Sequence, residues 1–171
     1  MSKSSKTISR RLASVVVAVS VITLSMLNGG KVYAFDEMSN SVHNVDAKGV
    51  GLHGYDPVAY FTVGKPTVGS EKFEATYDSV RYRFANNENR EAFVKDPAKY
   101  VPAYGGFCAM GTANGKKFDG DPNYWKIVDG KLYVNVNADV DKAWKGDVPG
   151  NITKADQNWP EIKNKTPKDL M

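Results

Sequence analysis

The sequence predicts an α+β domain: a small antiparallel sheet built from hairpins, with short helices packed on it. Three observations predict it. Two stretches alternate apolar and polar residues on either side of a two-residue turn, at Asp78-Ser79 and at Asp129-Gly130. Asn and Asp residues suited to helix caps follow each stretch. The 171 residues, 42% hydrophobic and 25% charged, suit one globular domain and exclude a disordered or collagen-like chain.

Residues 1–34 read as a secretory signal peptide. Lys3, Lys6, Arg10 and Arg11 form a positive start, Leu12 to Leu27 is an apolar run, and Val32-Tyr33-Ala34 supplies small residues for cleavage after Ala34. The run is shorter than the roughly 20 residues that a membrane-spanning helix needs. Arg10-Arg11 is compatible with twin-arginine export, but the strong apolar run favours the general secretory route. The mature protein is therefore expected outside the cytoplasm, periplasmic or secreted, with no membrane attachment. The leader also carries the basic excess. Of 23 Lys and Arg, five (Lys3, Lys6, Arg10, Arg11, Lys31) lie before residue 35, leaving 18 against 19 acidic residues. The remainder has no basic footprint for nucleic acid.

Residues 35–49 are polar and aperiodic and read as a flexible arm in which His43 is solvated. The folded domain is expected over 50–160, with a polar tail over 161–171. Val58 to Thr62, after Pro57, reads as a short strand. Lys72–Tyr77 and Val80–Phe84 form the first hairpin, with Val80, Tyr82 and Phe84 on its inner face. Asn86 caps a helix to about Lys95 with Ala92 and Phe93 inward, and Asp96-Pro97 starts another helical turn. Tyr104 to Gly111 is the least ordinary stretch, its paired glycines permitting positive φ or close backbone approach. Tyr124–Val128 and Lys131–Val136 form the second hairpin, and the two hairpins could share one sheet. Asp139 and Asn151 are expected to cap two further helices ending near Trp144 and Trp159, with Pro160 closing the last. No internal repeat is apparent.

From Gly54-Tyr55-Asp56-Pro57-Val58-Ala59 through Tyr82-Arg83-Phe84, Asp96-Pro97, Tyr104-Gly105-Gly106-Phe107-Cys108-Ala109, Trp125, Asp129-Gly130-Lys131-Leu132-Tyr133, Trp144 and Trp159-Pro160, the chain resembles a YHS-domain protein of the exported, single-domain bacterial branch. The resemblance covers most of 50–160 and implies an association with metal handling. Metal-associated versions carry cysteines where this sequence has Ala59 and, approximately, Asn89 or Arg90, so a two-thiolate site of that kind is excluded.

The remaining candidate donors are His53, Cys108 and Met110. Imidazole with thiolate and thioether sulfur suits copper. A lone Cys in an oxidising compartment is buried, bound to a ligand, or paired with another chain. The glycine loop could bring His53 toward Cys108 and Met110. Tyr55, Tyr60, Tyr104, Phe107 and Trp125 are the aromatics available to line a pocket, although strand-spaced aromatics are more often core. On the same ground Trp125 and Trp159 are expected to be core residues. Asp56, before Pro57, is expected to cap neighbouring backbone amides. Asp119, Asp121 and Asp129 lack calcium-loop spacing. The leading expectation is thus an exported binding module holding a metal ion, copper favoured, or a small ligand near Gly105-Gly106-Phe107-Cys108. The alternatives are a thiol-based redox or enzyme accessory using Cys108, and a partner-binding assembly protein with no small-molecule site.

Overall fold

The computed structural model describes residues 35–171, so the expected leader lies outside the described residues. The fold is α+β, with two separate two-stranded antiparallel sheets rather than one shared sheet. A 3-10 turn at Leu52–Gly54 leads into α1 (Ala59–Thr62). Strands β1 (Ser70–Tyr77) and β2 (Val80–Phe84) form the first hairpin, followed by α2 (Asn87–Lys95) and α3 (Pro97–Tyr100). A second 3-10 turn, Ala103–Gly106, leads into α4 (Ala109–Ala113). Then come β3 (Asp121–Val128), β4 (Lys131–Asn135), α5 (Ala138–Gly146) and α6 (Val148–Ile162).

This order is a duplication. Shifting β1, β2 and α2 by 51 positions lands on β3, β4 and α5 with identical boundaries. Both hairpins carry a register shift at the matching place, Ser70/Glu74 and Asp121/Trp125. Both turns hold two residues with positive φ, Asp78-Ser79 and Asp129-Gly130, the signature of a type I′ turn. Both 3-10 turns hold three: Leu52, His53 and Gly54, then Tyr104, Gly105 and Gly106. The expectation of no internal repeat is therefore overturned. The repeat lives in backbone geometry while most side chains differ.

Several element expectations are corrected by the same local chemistry. Residues 58–62 form helix, not strand: Asp56 Oδ1 accepts the N–H groups of Val58 (2.8 Å) and Ala59 (3.2 Å), and Pro57 needs no donor in a first turn. The caps of α5 and α6 are Asn137 and Asp147, whose side chains accept from Val140 and Gly150, not Asp139 and Asn151. Helix α6 runs past Pro160 to Ile162.

Three apolar clusters build the core. Val58, Val80, Tyr82, Phe84, Phe93 and Tyr100 fill the first half. Tyr104, Ala109, Ala113, Tyr133, Trp144 and Ala155 fill the second. Leu52 and Tyr60 from the first half pack on Leu132 and Val134 from β4, and this third cluster joins the halves. Burial of a large apolar side chain contributes about 1.5–3 kcal/mol. Trp125 and Trp159, expected in the core, are only half-buried, whereas Trp144 is fully buried.

The ends of the domain are tied down. The segment read as a flexible arm forms a bridge between Val45 and Gly51 and places Asn44 against the glycine loop. In the tail, Lys168 N–H donates to Glu37 O at 3.0 Å. Among the described residues no helix is long and apolar enough to cross a membrane.

Candidate functional site

The glycine loop is shaped by Tyr104, Gly105 and Gly106, whose φ values are 52°, 61° and 86°. That left-handed run turns the chain back between Pro102 and Phe107. A side chain at Gly105 has no room: a Cβ there would lie 2.0 Å from the Val42 carbonyl oxygen. The close approach permitted by the glycines is thus filled by the arm itself. Asn44 N–H donates to Gly105 O at 2.9 Å, and Asn44 Nδ2 donates to Gly106 O and to Asp119 Oδ1 at 3.2 and 2.7 Å.

His53 meets the same carboxylate, its Nε2 lying 2.8 Å from Asp119 Oδ1. Burial on its own would lower the imidazole pKa. The Asp119 hydrogen bond, with the charges of Asp119, Asp121 and Asp46, outweighs burial and raises it above the ordinary 6.5. Side-chain exposures of 18% for His53 and 30% for Asp119 leave this pair in reach of solvent.

Cys108 has different surroundings. It is 0% exposed and caps the start of α4, its sulfur accepting from Gly111 N–H at 3.4 Å and donating to Asn135 Oδ1 at 3.7 Å. Burial pushes the thiol pKa up, against the backbone N–H groups of Gly111, Val136 and Met110. Asn135 is itself fully buried. It also accepts from Met110 N–H at 3.1 Å and donates to Asp141 Oδ1 at 3.1 Å, and Lys145 completes the chain on Asp141 Oδ2.

Of the expected donors, His53 therefore sits on Asp119, Cys108 on Asn135 and Gly111, and Met110 is half-buried in α4. Phe107 pairs with Asp119 across an antiparallel bridge, and Cys108 N–H donates to Phe118 O. Side chains alternate across such a pairing, which turns Cys108 to the face opposite Asp119. Among the described residues no group of three His, Cys, Asp or Glu side chains is arranged to hold a metal ion. Tyr60, Tyr104 and Phe107 of the expected aromatic set are core residues. Tyr60 packs edge-on against Trp125 with centroids 5.0 Å apart, and donates its hydroxyl to Pro122 O.

Residue type and spacing do not mark Asn44, Asn135 or Asp141 as part of this region, and Lys117 stands out in sequence only as a neighbour of Cys108. Lys117 is 1% exposed and donates to three backbone carbonyls. An Asn or Lys read singly is an ordinary surface residue.

No protein-family model matches the chain, and neither a curated protein nor a solved structure matches it.

Proposed function

We propose that the protein is a small extracytoplasmic binding module of the YHS type, working through the polar face beside the glycine loop rather than through a reactive thiol. The observation that carries this reading is the placement of Cys108. A nucleophilic or redox-active cysteine needs an accessible sulfur and a stabilised thiolate. Cys108 has neither: it is 0% exposed, and burial raises its pKa. The groups that do reach solvent are His53 and Asp119, with Asp46 and Asp121 close enough to act on the imidazole.

An imidazole among carboxylates suits a transition-metal ion, and copper is the ion this reading favours, because two soft sulfurs stand at the start of α4. Cys108 and Met110 join His53 only after the Cys108 sulfur leaves Asn135, so their participation requires an opening of the loop. The test is elemental analysis of natively exported protein, followed by copper titration of the wild type, His53→Ala and Cys108→Ala. The expected result is saturable binding of one equivalent that His53→Ala abolishes. Loss in Cys108→Ala as well assigns the sulfur to the ligand set. Metal-free native protein with no saturable copper binding would overturn the metal reading and leave the partner-binding one, which cross-linking of exported protein tests.

A further inference from the structure

Lys117 is the one lysine among the largest fully buried side chains. Its Nζ donates to Ser41 O at 2.7 Å, Lys165 O at 2.9 Å and Lys163 O at 3.1 Å, and lies 4.5 Å from the centre of the Phe107 ring. An ammonium has three N–H donors and no acceptor, so three carbonyls use its full hydrogen-bonding capacity. Those carbonyls come from two remote stretches. Ser41 belongs to the N-terminal arm, and Lys163 and Lys165 follow α6. The aromatic ring belongs to the glycine loop.

No carboxylate lies within ion-pair distance of Lys117 among the described residues. Burial pushes its pKa down to about 8. Desolvating that charge offsets much of what its hydrogen bonds contribute to stability. What Lys117 supplies is position. It holds the arm where Val42 lies on Gly105, where Asn44 bonds Gly105 and Gly106, and where the Phe35 ring meets Phe107 edge-on at 6.3 Å. It holds the tail where Lys168 N–H reaches Glu37 O.

We infer that Lys117 is a clasp that fastens the N-terminal arm and the C-terminal tail with one side chain, so that the two ends order and release together and the cover over Gly105, Gly106 and Phe107 opens only when both leave. This stands independently of any ligand at His53.

Hydrogen exchange resolved to single amides tests it, on the full chain, in the wild type and in Lys117→Met. Met keeps the length and apolar stem while removing the three donors. The expected result is that the amides of Asn44 and Lys168 exchange together at least roughly tenfold faster, as loss of hydrogen bonds to a charged group implies. The strand amides of β2 and β4 should keep their protection. Release of only one end, or of neither, in a folded Lys117→Met protein overturns the clasp. Asn44→Ala is the second arm of the experiment, because it loosens the N-terminal segment without altering Lys117 or its three donors. Coupled ends require faster exchange at Lys168 in that variant too, and unchanged protection there overturns the inference even where Lys117→Met fails to fold.

Discussion

Asp56 and Cys108 hold the same place in the two halves of the fold. Each follows a left-handed 3-10 turn, and each donates its own N–H to a carbonyl just before the next hairpin, Thr67 and Phe118 respectively. The Asp56 carboxylate accepts from Val58, Ala59 and Ala85 N–H and from Asn89 Nδ2. The Cys108 sulfur faces the corresponding N–H groups of Met110, Gly111 and Val136. A sulfur is a far weaker acceptor than a carboxylate, and the buried Asn135 beside it takes over the Met110 N–H.

Asp56→Ala should therefore be among the most damaging single changes. It strands three backbone donors and one amide in a site with 0% exposure, and each unsatisfied buried donor costs about 1–3 kcal/mol. The expected loss is at least about 3 kcal/mol. Cys108→Ala should cost only about 1–2 kcal/mol, mostly from lost packing. Urea unfolding of the two variants decides the matter, and equal losses would show that the sulfur does more than fill space.

Cys108 should resist iodoacetamide in native protein and react once urea unfolds the chain, because its sulfur is buried and its thiolate disfavoured. Adding a chelator separates two sources of protection. Burial protects equally with and without it, whereas a bound metal protects only until it is removed. Rapid native labelling in both conditions would bring back the thiol-based alternative.

The two hairpins were legible because the alternation of apolar residues and the Asp-Ser and Asp-Gly turns are local signals. The helix at Asn87–Lys95 was legible for the same reason, through its Asn86 cap, which accepts from Asn89 N–H at 2.8 Å. The duplication was not. The matched positions keep a few identities, Tyr82 with Tyr133, Asn86 with Asn137 and Asp96 with Asp147. Other core and site positions differ: Phe84 becomes Asn135, and Asp56 becomes Cys108. The register also slips by one residue between the glycine loop and the second hairpin, so a fixed period does not run through. The helix at Ala59 was missed although Asp56-Pro57 repeats the Asp96-Pro97 signal, because Val58 to Thr62 taken alone has strand composition. The site was least legible of all. Lys117 and Asn135 matter through burial, and burial belongs to the tertiary fold.

The His53–Asp119 pair should make stability depend on pH. The folded pKa of His53 is raised above 6.5, so the folded state binds its proton more tightly than the unfolded chain does. The contribution is fully present below about pH 6.5, the ordinary imidazole value. It is lost as pH rises through the folded pKa. His53→Gln should flatten that decline. Denaturant midpoints at half-unit steps from pH 5.5 to about 8.5 measure it, and a variant with the wild-type slope would remove His53 as the cause.

N-terminal sequencing of exported protein should begin at Phe35, as the apolar run and Val32-Tyr33-Ala34 imply. Recovery of a chain beginning at Met1 in the membrane fraction would make the leader an anchor instead.

The tryptophans should rank by burial. Trp144 is 0% exposed, packs against Tyr133 with ring centres 5.5 Å apart, and lies in the central cluster of the second half. Trp144→Ala should cost about 3–5 kcal/mol. Trp125 and Trp159 are half-buried, each in ring contact with a buried tyrosine, and their Ala variants should cost roughly 1–3 kcal/mol, through partial burial and an aromatic pair. The informative variant is Trp144→Phe. Among the described residues the indole Nε1 of Trp144 is buried with no hydrogen-bond partner, so replacing the indole removes an unsatisfied donor together with some volume. The first half already carries a Phe at the matching position: Phe93 is 1% exposed and packs on Tyr82 and Phe84 with centroids 5.0 Å away in each case. Trp144→Phe should thus lose less than half of what Trp144→Ala loses in thermal unfolding. Equal losses from the two would mean that the second half depends on the full width of the indole, and that the two cores do not accept the same residue at the duplicated site.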